Sequence, residues 1–133
     1  MRNKIVALSL LLMLAVPAHA DTKPWFKSKR FWTTFSLQTA AMTADFVTTR
    51  QSLARGGVET NRIYGSHPSN ARLYSIGVPL EFLVAYGSYA ASQDKNKAIR
   101  QIGWILPSAV IGLHIRAAIH NTNVCPTGEI CLH

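Results

Sequence analysis

Three ionisable residues, Asp45, Glu81 and His114, each lie inside a long apolar stretch of the sequence. Charged groups in such surroundings are costly, and they usually face a protein interior or a water-filled cavity. If the three side chains meet, a carboxylate–histidine cluster could relay protons or hold a metal ion. The simpler interpretation, which we favour, is that these groups satisfy one another and fix the register of packed helices.

Further polar residues are candidates for the same site. Glu59 and Asn61 stand two positions apart in a polar connector, where a carboxylate and an amide could bind backbone donors and lock the loop. Alternatively, the two side chains could line a site together with Asp45. His120 and Asn121 follow His114 at the end of the last apolar stretch, and with Asn61 they are candidate binding residues.

The candidates for a catalytic role are Asp45, Glu59, Glu81 and His114, and the sequence offers few others. Ser66-His67 has no nucleophile-elbow context. No His-x-x-x-His or Cys-x-x-Cys spacing supports a metal site, and no glycine loop would bind phosphate. We therefore expect no metal and no cofactor, and we do not favour an enzyme.

Three predicted helices carry these residues, over 33–53, 71–92 and 98–121. The first contains neither proline nor glycine, and its large apolar residues recur at roughly helical spacing. The other two are strongly apolar and close to the length that crosses a bilayer, although Pro79 should kink one and Pro107 should interrupt the other. No strand alternation or repeat is present, so the expected fold class is all-α, a small bundle of three main helices.

Residues 1–20 have the three-part pattern of a secretory signal peptide. Arg2 and Lys4 precede an apolar run over 5–16, and small residues follow as far as Ala20. We expect cleavage after Ala20; the alternative is an uncleaved membrane anchor. Either outcome predicts an exported bacterial protein of the inner membrane or periplasm.

The remainder divides into a basic, aromatic leader (21–32), a helical membrane-associated domain (33–121) and a polar tail (122–133). The leader could lie at a membrane–water interface, or it could be solvated with its rings packed on the domain. In the tail, Cys125 and Cys131 flank a turn-forming sequence. We expect them to form a disulfide if the tail lies outside the cytoplasm, and to be free thiols otherwise.

Composition favours contact with a membrane. The formal net charge is +8, yet hydrophobic residues make up 48% of the chain and charged residues only 15%. A basic exported protein is expected to meet anionic lipid head groups, and a nucleic-acid partner is not expected in that compartment.

The second and third predicted helices are expected to form a transmembrane hairpin, because they lack the polar stripe of a soluble bundle. The cations Lys95, Lys97 and Arg100 would place the turn between them in the cytoplasm, with both ends of the hairpin outside. If the first helix also crosses the membrane, the tail lies in the cytoplasm and the argument for a disulfide fails. Basic residues in or beside the first connector favour this alternative, so the charge distribution does not decide between the two: Arg50, Arg55, Arg62 and Arg72.

The sequence also resembles a group of small, uncharacterised bacterial membrane or exported proteins. The resemblance is carried by the segments 45–49 (Asp-x-x-Thr-Thr), 57–61 (with Glu-x-Asn) and 114–121 (ending in His-Asn). In that group a proline follows the Glu-x-Asn connector, whereas this chain has Arg62. The resemblance implies helical membrane association and no known reaction, and it implies that Asp45 acts together with the connector.

These observations predict a small helical cell-envelope membrane protein with a structural or partner-binding role. Its expected partners are membrane lipids and, through small-residue pairs such as Gly87 with Ala91, a second copy or another membrane protein. One alternative is a membrane-embedded enzyme or transporter that uses the Asp/Glu/His cluster. Another is a soluble periplasmic bundle that binds an apolar ligand between helices. That ligand would contact residues such as Phe82, Tyr86, Trp104 and Leu113.

Overall fold

The computed structural model describes residues 24–59 and 61–123, and over these ranges the protein contains helices and no strand. A 3-10 turn, Trp25–Lys27, precedes three long helices. These are α1 (Lys29–Ala54), α2 (Asn70–Ser92) and α3 (Lys97–Thr122). The all-α prediction is confirmed. The expected signal peptide and both cysteines lie outside the described residues.

Each long helix begins at a side chain that accepts a hydrogen bond from a backbone N–H of the first turn. Ser28 accepts from Phe31 N, Ser69 from Arg72 N and Asn96 from Ala98 N. The Ser28 cap starts α1 four residues before the predicted boundary at 33, so part of the expected leader belongs to the helix.

The two prolines do not break the helices that contain them. Pro79 lies inside α2 and Pro107 inside α3, and the helical backbone continues through both. The prediction that Pro107 interrupts the third helix was therefore wrong. A long helix can keep its course past a proline when neighbouring helices pack along its length.

The three helices run side by side, with α1 and α3 parallel and α2 antiparallel to both. At one end of the bundle, Nη2 of Arg30 donates to the carbonyl of Gly103 over 2.9 Å. At the other end, Nη2 of Arg55 donates to the carbonyl of Asn121, also over 2.9 Å. We call these the Arg30 end and the connector end, since the loop between α1 and α2 lies at the second.

Two groups of buried side chains lie in the bundle. Phe31 is fully buried and packs against Trp25, Phe35 and Phe82 near the Arg30 end, with ring centroids 4.9–5.9 Å from that of Phe31. Trp25 of the leader therefore packs on the bundle. Nearer the connector end, a second group brings α1 and α2 together with the loop. Its members are Met42, Phe46, Tyr64 and Leu73.

Close helix contacts depend on glycine at two positions. A Cβ on Gly103 would lie 2.9 Å from the carbonyl oxygen of Ser88, whose hydroxyl also donates to the carbonyl of Gly103. A Cβ on Gly77 would lie 2.6 Å from Sδ of Met42. The small residues Ser88 and Ala91 of α2 thus pack against α3 of the same chain.

Substitution of Gly103 by alanine should destabilise the bundle, because the new methyl group would meet a backbone oxygen that cannot move alone. We expect the free energy of unfolding to fall by about 1–3 kcal/mol. Gly112→Ala is the matched control, since no atom lies within 4 Å of its Cβ position. Alanine there should be neutral or stabilising by up to about 1 kcal/mol. Thermal unfolding followed by circular dichroism compares them; equal effects would contradict the close contact.

Candidate functional site

Asp45, Glu81 and His114 meet in the middle of the bundle, one from each helix. Nδ1 of His114 lies 2.8 Å from Oδ2 of Asp45, and Nε2 lies 3.0 Å from Oε1 of Glu81. The Glu81 side chain is 5% exposed, and those of Asp45 and His114 are 14% and 17% exposed. We call this group of three residues the ionic bridge.

The register of the helices brings these side chains together. Glu81 lies two helical turns from Ser88 on α2, and His114 lies three turns from Gly103 on α3. Because Ser88 and Gly103 are joined by a hydrogen bond near the Arg30 end, the antiparallel helices place Glu81 within reach of the histidine. The parallel α1 then presents Asp45 to the other side of the ring.

Asn121 and Thr49 complete the hydrogen bonds of Asp45. Nδ2 of Asn121 donates to Oδ1 of Asp45 over 3.1 Å and to Oγ1 of Thr49 over 2.8 Å. Asn121 follows His114 by two helical turns, so both project from the same face of α3. The Thr49 hydroxyl also lies 3.5 Å from Oδ1 of Asp45. Both carboxylate oxygens of Asp45 are therefore engaged.

The geometry restricts the protonation of the ionic bridge. A neutral imidazole has one N–H donor and one lone pair, yet both nitrogens of His114 face carboxylate oxygens. The contacts require an imidazolium, or a neutral ring beside a carboxyl group that carries the proton. One shared proton thus removes repulsion that would otherwise oppose the packing of three helices.

Tyr64 of the connector lies near the same carboxylates. Its side chain is buried and its ring packs against Phe46, with centroids 5.4 Å apart. Burial first, and then the negative charges of Glu81, Asp45 and Glu59, raise the pKa of the Tyr64 hydroxyl to about 12. The phenol therefore stays protonated and adds no charge.

The ionic bridge has little free capacity for chemistry. Both ring nitrogens of His114 and both oxygens of Asp45 have partners, whereas Oε2 of Glu81 is buried without a hydrogen-bond partner. Within 24–59 and 61–123, no group of three or more His, Cys, Asp or Glu residues has a geometry that could hold a metal ion. The arrangement suits the interpretation in which these groups satisfy one another.

Glu59 and Asn61 lock the connector locally and do not join the ionic bridge. Oε1 of Glu59 accepts from the Asn61 backbone N–H over 2.7 Å, and Oδ1 of Asn61 accepts from Ile63 N over 3.2 Å. Among the described residues, no hydrogen bond joins Glu59 or Asn61 to Asp45, so the structure gives no support to the expectation that they act together. His120 is exposed near the end of α3, away from these bonds.

Most side chains proposed to contact an apolar ligand lie on the outside of the bundle. Tyr86, Trp104 and Leu113 are exposed, and the ring of Trp104 is covered on one face by the Arg30 guanidinium at 3.7 Å. Phe82 is half-buried in the aromatic group around Phe31. These four side chains therefore do not surround a ligand in the bundle interior.

Sequence reasoning missed Thr49 and the buried Gln38. Thr49 stands one helical turn after Asp45, and Gln38 stands two turns before it, so all three share a face of α1. That spacing was a usable signal. No family model, curated protein or solved structure matches this chain.

Removal of the histidine should destabilise the fold, because it would leave two buried carboxylates without their shared cation. We expect His114→Leu to lower the free energy of unfolding by about 3–5 kcal/mol. Adding Glu81→Gln to the same chain should recover part of the loss. His120→Leu, an exposed histidine of the same helix, is the control and should change stability by less than about 0.5 kcal/mol. Chemical unfolding curves of the wild type and the three variants measure these effects. Equal losses of stability at the two histidines would refute the role of the ionic bridge.

Proposed function

We propose that this chain is a small integral membrane protein in which all three helices cross the bilayer, with a structural or partner-binding role. The observation that carries the proposal is the distribution of side chains: several polar groups are buried among the apolar core residues, while large apolar side chains lie on the outside of α3. The ionic bridge would then lock the helices, and the outer surface would meet lipid or another membrane helix.

Several polar groups are buried in the interior of the bundle, where they lose the hydrogen bonds that water would provide. Both polar atoms of the fully buried Gln38 amide and the Thr39 hydroxyl have no hydrogen-bond partner. Together with the ionic bridge, they form an unusually polar interior for so small a bundle. The other buried polar residues are Thr34, Thr49, Ser52 and Ser88.

The outer surface of α3 is largely apolar between Ile102 and Ile119, apart from the exposed Ser108 and Arg116. Six large side chains, all 48–65% exposed, cover it: Ile102, Trp104, Ile105, Leu113, Ile115 and Ile119. Exposing them to water would be unfavourable, at roughly 25 cal/mol per Å² of apolar surface. Within the described part of the chain, α3 is the one helix long and apolar enough to cross a membrane, with a mean hydropathy of 1.5.

The other two helices do not pass the same test, and several of their polar residues face the interior. Residues such as Gln38 and Asp45 lower the hydropathy of α1, while Leu37 and Val47 are exposed on its outside. Since α1 and α2 run beside α3 from one end of the bundle to the other, a bilayer that surrounds α3 would surround them also.

Cations mark both ends of the proposed membrane segment. Arg30 and Arg50 on α1 are separated by about 30 Å along the helix axis, which matches the thickness of the hydrocarbon core. Other basic residues cluster near each of them. Those at the Arg30 end are Lys27, Lys29, Lys95, Lys97 and Arg100, and those at the connector end are Arg55, Arg62 and Arg72.

Three crossings change the expected topology. A hairpin of α2 and α3 would leave the leader and the tail on the same side, whereas three crossings separate them. With the export expected from residues 1–20, the leader would lie outside the bacterial inner membrane and the tail inside. The turn that carries Lys95 and Lys97 would then also lie outside, in place of the cytoplasmic position expected for a hairpin, and the cations of the connector would lie inside. Cys125 and Cys131 would then be reduced thiols.

We expect the chain to remain in the membrane fraction after a carbonate wash. Single cysteines at Lys27 and Lys95 should react with an impermeant thiol reagent from one side of the membrane, and a cysteine at Arg62 from the other, in a background with Cys125 and Cys131 replaced by serine. Recovery in the wash would contradict integral insertion. Labelling of all three positions from one side would contradict the crossing of α1.

A proton-transfer role is the second candidate, and it is favoured by the buried, unpartnered Oε2 of Glu81 beside the histidine. On this hypothesis, the chain in phosphatidylcholine vesicles dissipates a pH gradient, and Glu81→Gln lowers the rate to that of protein-free vesicles. Glu59→Gln, which alters only the connector, should leave the rate unchanged. Equal rates for wild type and Glu81→Gln would exclude this role, as would wild-type vesicles that are no faster than protein-free ones.

A further inference from the structure

We propose that a cavity at the connector end binds the phosphate group of an anionic phospholipid. This inference rests on the proposed membrane insertion. The cavity lies between the last turns of α1 and the start of α2, and its volume is about 260 Å³. The residues that line it are Phe46, Val47, Arg50, Gln51, Asn70 and Tyr74.

The lining changes from polar to apolar in the direction that a lipid requires. On α1, Arg50 and Gln51 lie at the connector end, and Phe46 and Val47 lie one helical turn nearer the middle of the bundle. The first residue of α2 is a further polar group at the connector end. A phospholipid in the same leaflet has its phosphate at the level of the polar residues and its acyl chains at the level of the apolar ones.

The Arg50 guanidinium is positioned for an anion. Its Nη1 donates to the carbonyl of Pro68 over 3.0 Å, which uses one of its five N–H donors. Among the described residues, no carboxylate lies within 4.0 Å of it, since the ion pairs formed there are those of His114. An arginine held in this way can give a phosphate two parallel hydrogen bonds.

The start of α2 adds a second source of positive potential. Ser69 accepts a hydrogen bond from Arg72 N, and the first turn of the helix contains no acidic residue. Asn70 lines the cavity, and its backbone N–H belongs to the first turn of the helix, where N–H groups have no partner within the helix. The dipole of a 23-residue helix favours negative charge at this point.

The size of the cavity suits a head-group phosphate with part of its glycerol. At about 260 Å³ it has room for a phosphate, and it is open to the surface, since all of its lining residues except Phe46 are exposed. The acyl chains would therefore lie outside it, along the exposed side chain of Val47. The edge-to-face pair of Phe46 and Tyr74, with centroids 5.4 Å apart, gives the cavity a rigid apolar wall.

The test measures the binding of phosphatidylglycerol to the delipidated full-length chain in detergent by native mass spectrometry. We expect Arg50→Gln to weaken binding by about tenfold, because a charge-assisted bidentate contact is lost. The matched control is Arg62→Gln, which removes the same charge from the exposed connector at the same end of the bundle. It should change the affinity by less than about twofold, as expected for a distant, screened charge. Equal losses, or no loss at Arg50, would overturn the site.

Gln51 provides a second pair of variants that keeps the test valid if Arg50→Gln fails to fold. Its side chain is exposed, so both charged substitutions should be tolerated. Gln51→Glu should weaken phosphatidylglycerol binding and Gln51→Lys should strengthen it, because the two place opposite charges in the cavity. Changes of the same sign, or no change, would contradict an anion in the cavity.

Competition identifies the source of the phosphate. If the site is built for a lipid, inorganic phosphate should fail to displace phosphatidylglycerol, because it lacks the acyl chains that pack on Val47. Complete displacement by inorganic phosphate would show that the site binds a soluble anion and not a lipid. The carbonate wash tests membrane insertion separately from the lipid site. If the chain stays in the membrane but wild type and Arg50→Gln bind phosphatidylglycerol equally, the lipid site is refuted and membrane insertion is not.

Discussion

The contacts of His114 with two carboxylates are the constraint on which the rest of this bundle depends. With one ring nitrogen against Asp45 and the other against Glu81, the ring joins all three helices at one level. A helix that shifted by one turn would separate a buried carboxylate from its cation, at a cost of several kcal/mol. The ionic bridge therefore selects one register among the many that sparse apolar contacts alone would permit.

Packing on both sides of the ionic bridge keeps water away from it. The aromatic group around Phe31 fills the bundle toward the Arg30 end, and Phe46 with Tyr64 fills it toward the connector. The Phe46 ring lies edge-on to His114, with centroids 6.4 Å apart. A low local dielectric strengthens the bonds of the ionic bridge, and it makes the unpartnered oxygen of Glu81 more costly.

Much of the fold could be predicted, because apolar segments of helical length separated by breaker clusters leave few alternatives. The meeting of Asp45, Glu81 and His114 could be predicted as well, since isolated charges in apolar segments must find one another. The spacing of Thr49 from Asp45 indicates that they share a helix face, but its partner Asn121 on α3 could not be predicted, because α1 contains many hydroxyl residues and only the packed structure selects those that meet another helix. The sequence also could not show that Glu59 stays apart from the site. Its carboxylate accepts a hydrogen bond within its own loop, and local backbone geometry decides whether that bond forms.

The composition of α1 agrees with its position in the bundle. Its threonines, serines and glutamines make it a poor lone span, and in the structure Thr34, Gln38, Thr49 and Ser52 are buried against the rest of the bundle. Average hydropathy treats a side chain in the same way on either face of a helix, whereas the energetic cost depends on which face it occupies. In a three-helix bundle, α1 has two neighbours toward which its polar face can turn. Among these residues, Thr49 accepts a hydrogen bond from Asn121 and so helps to hold α3 in place, while the apolar surface of α3 is left to meet whatever surrounds the bundle.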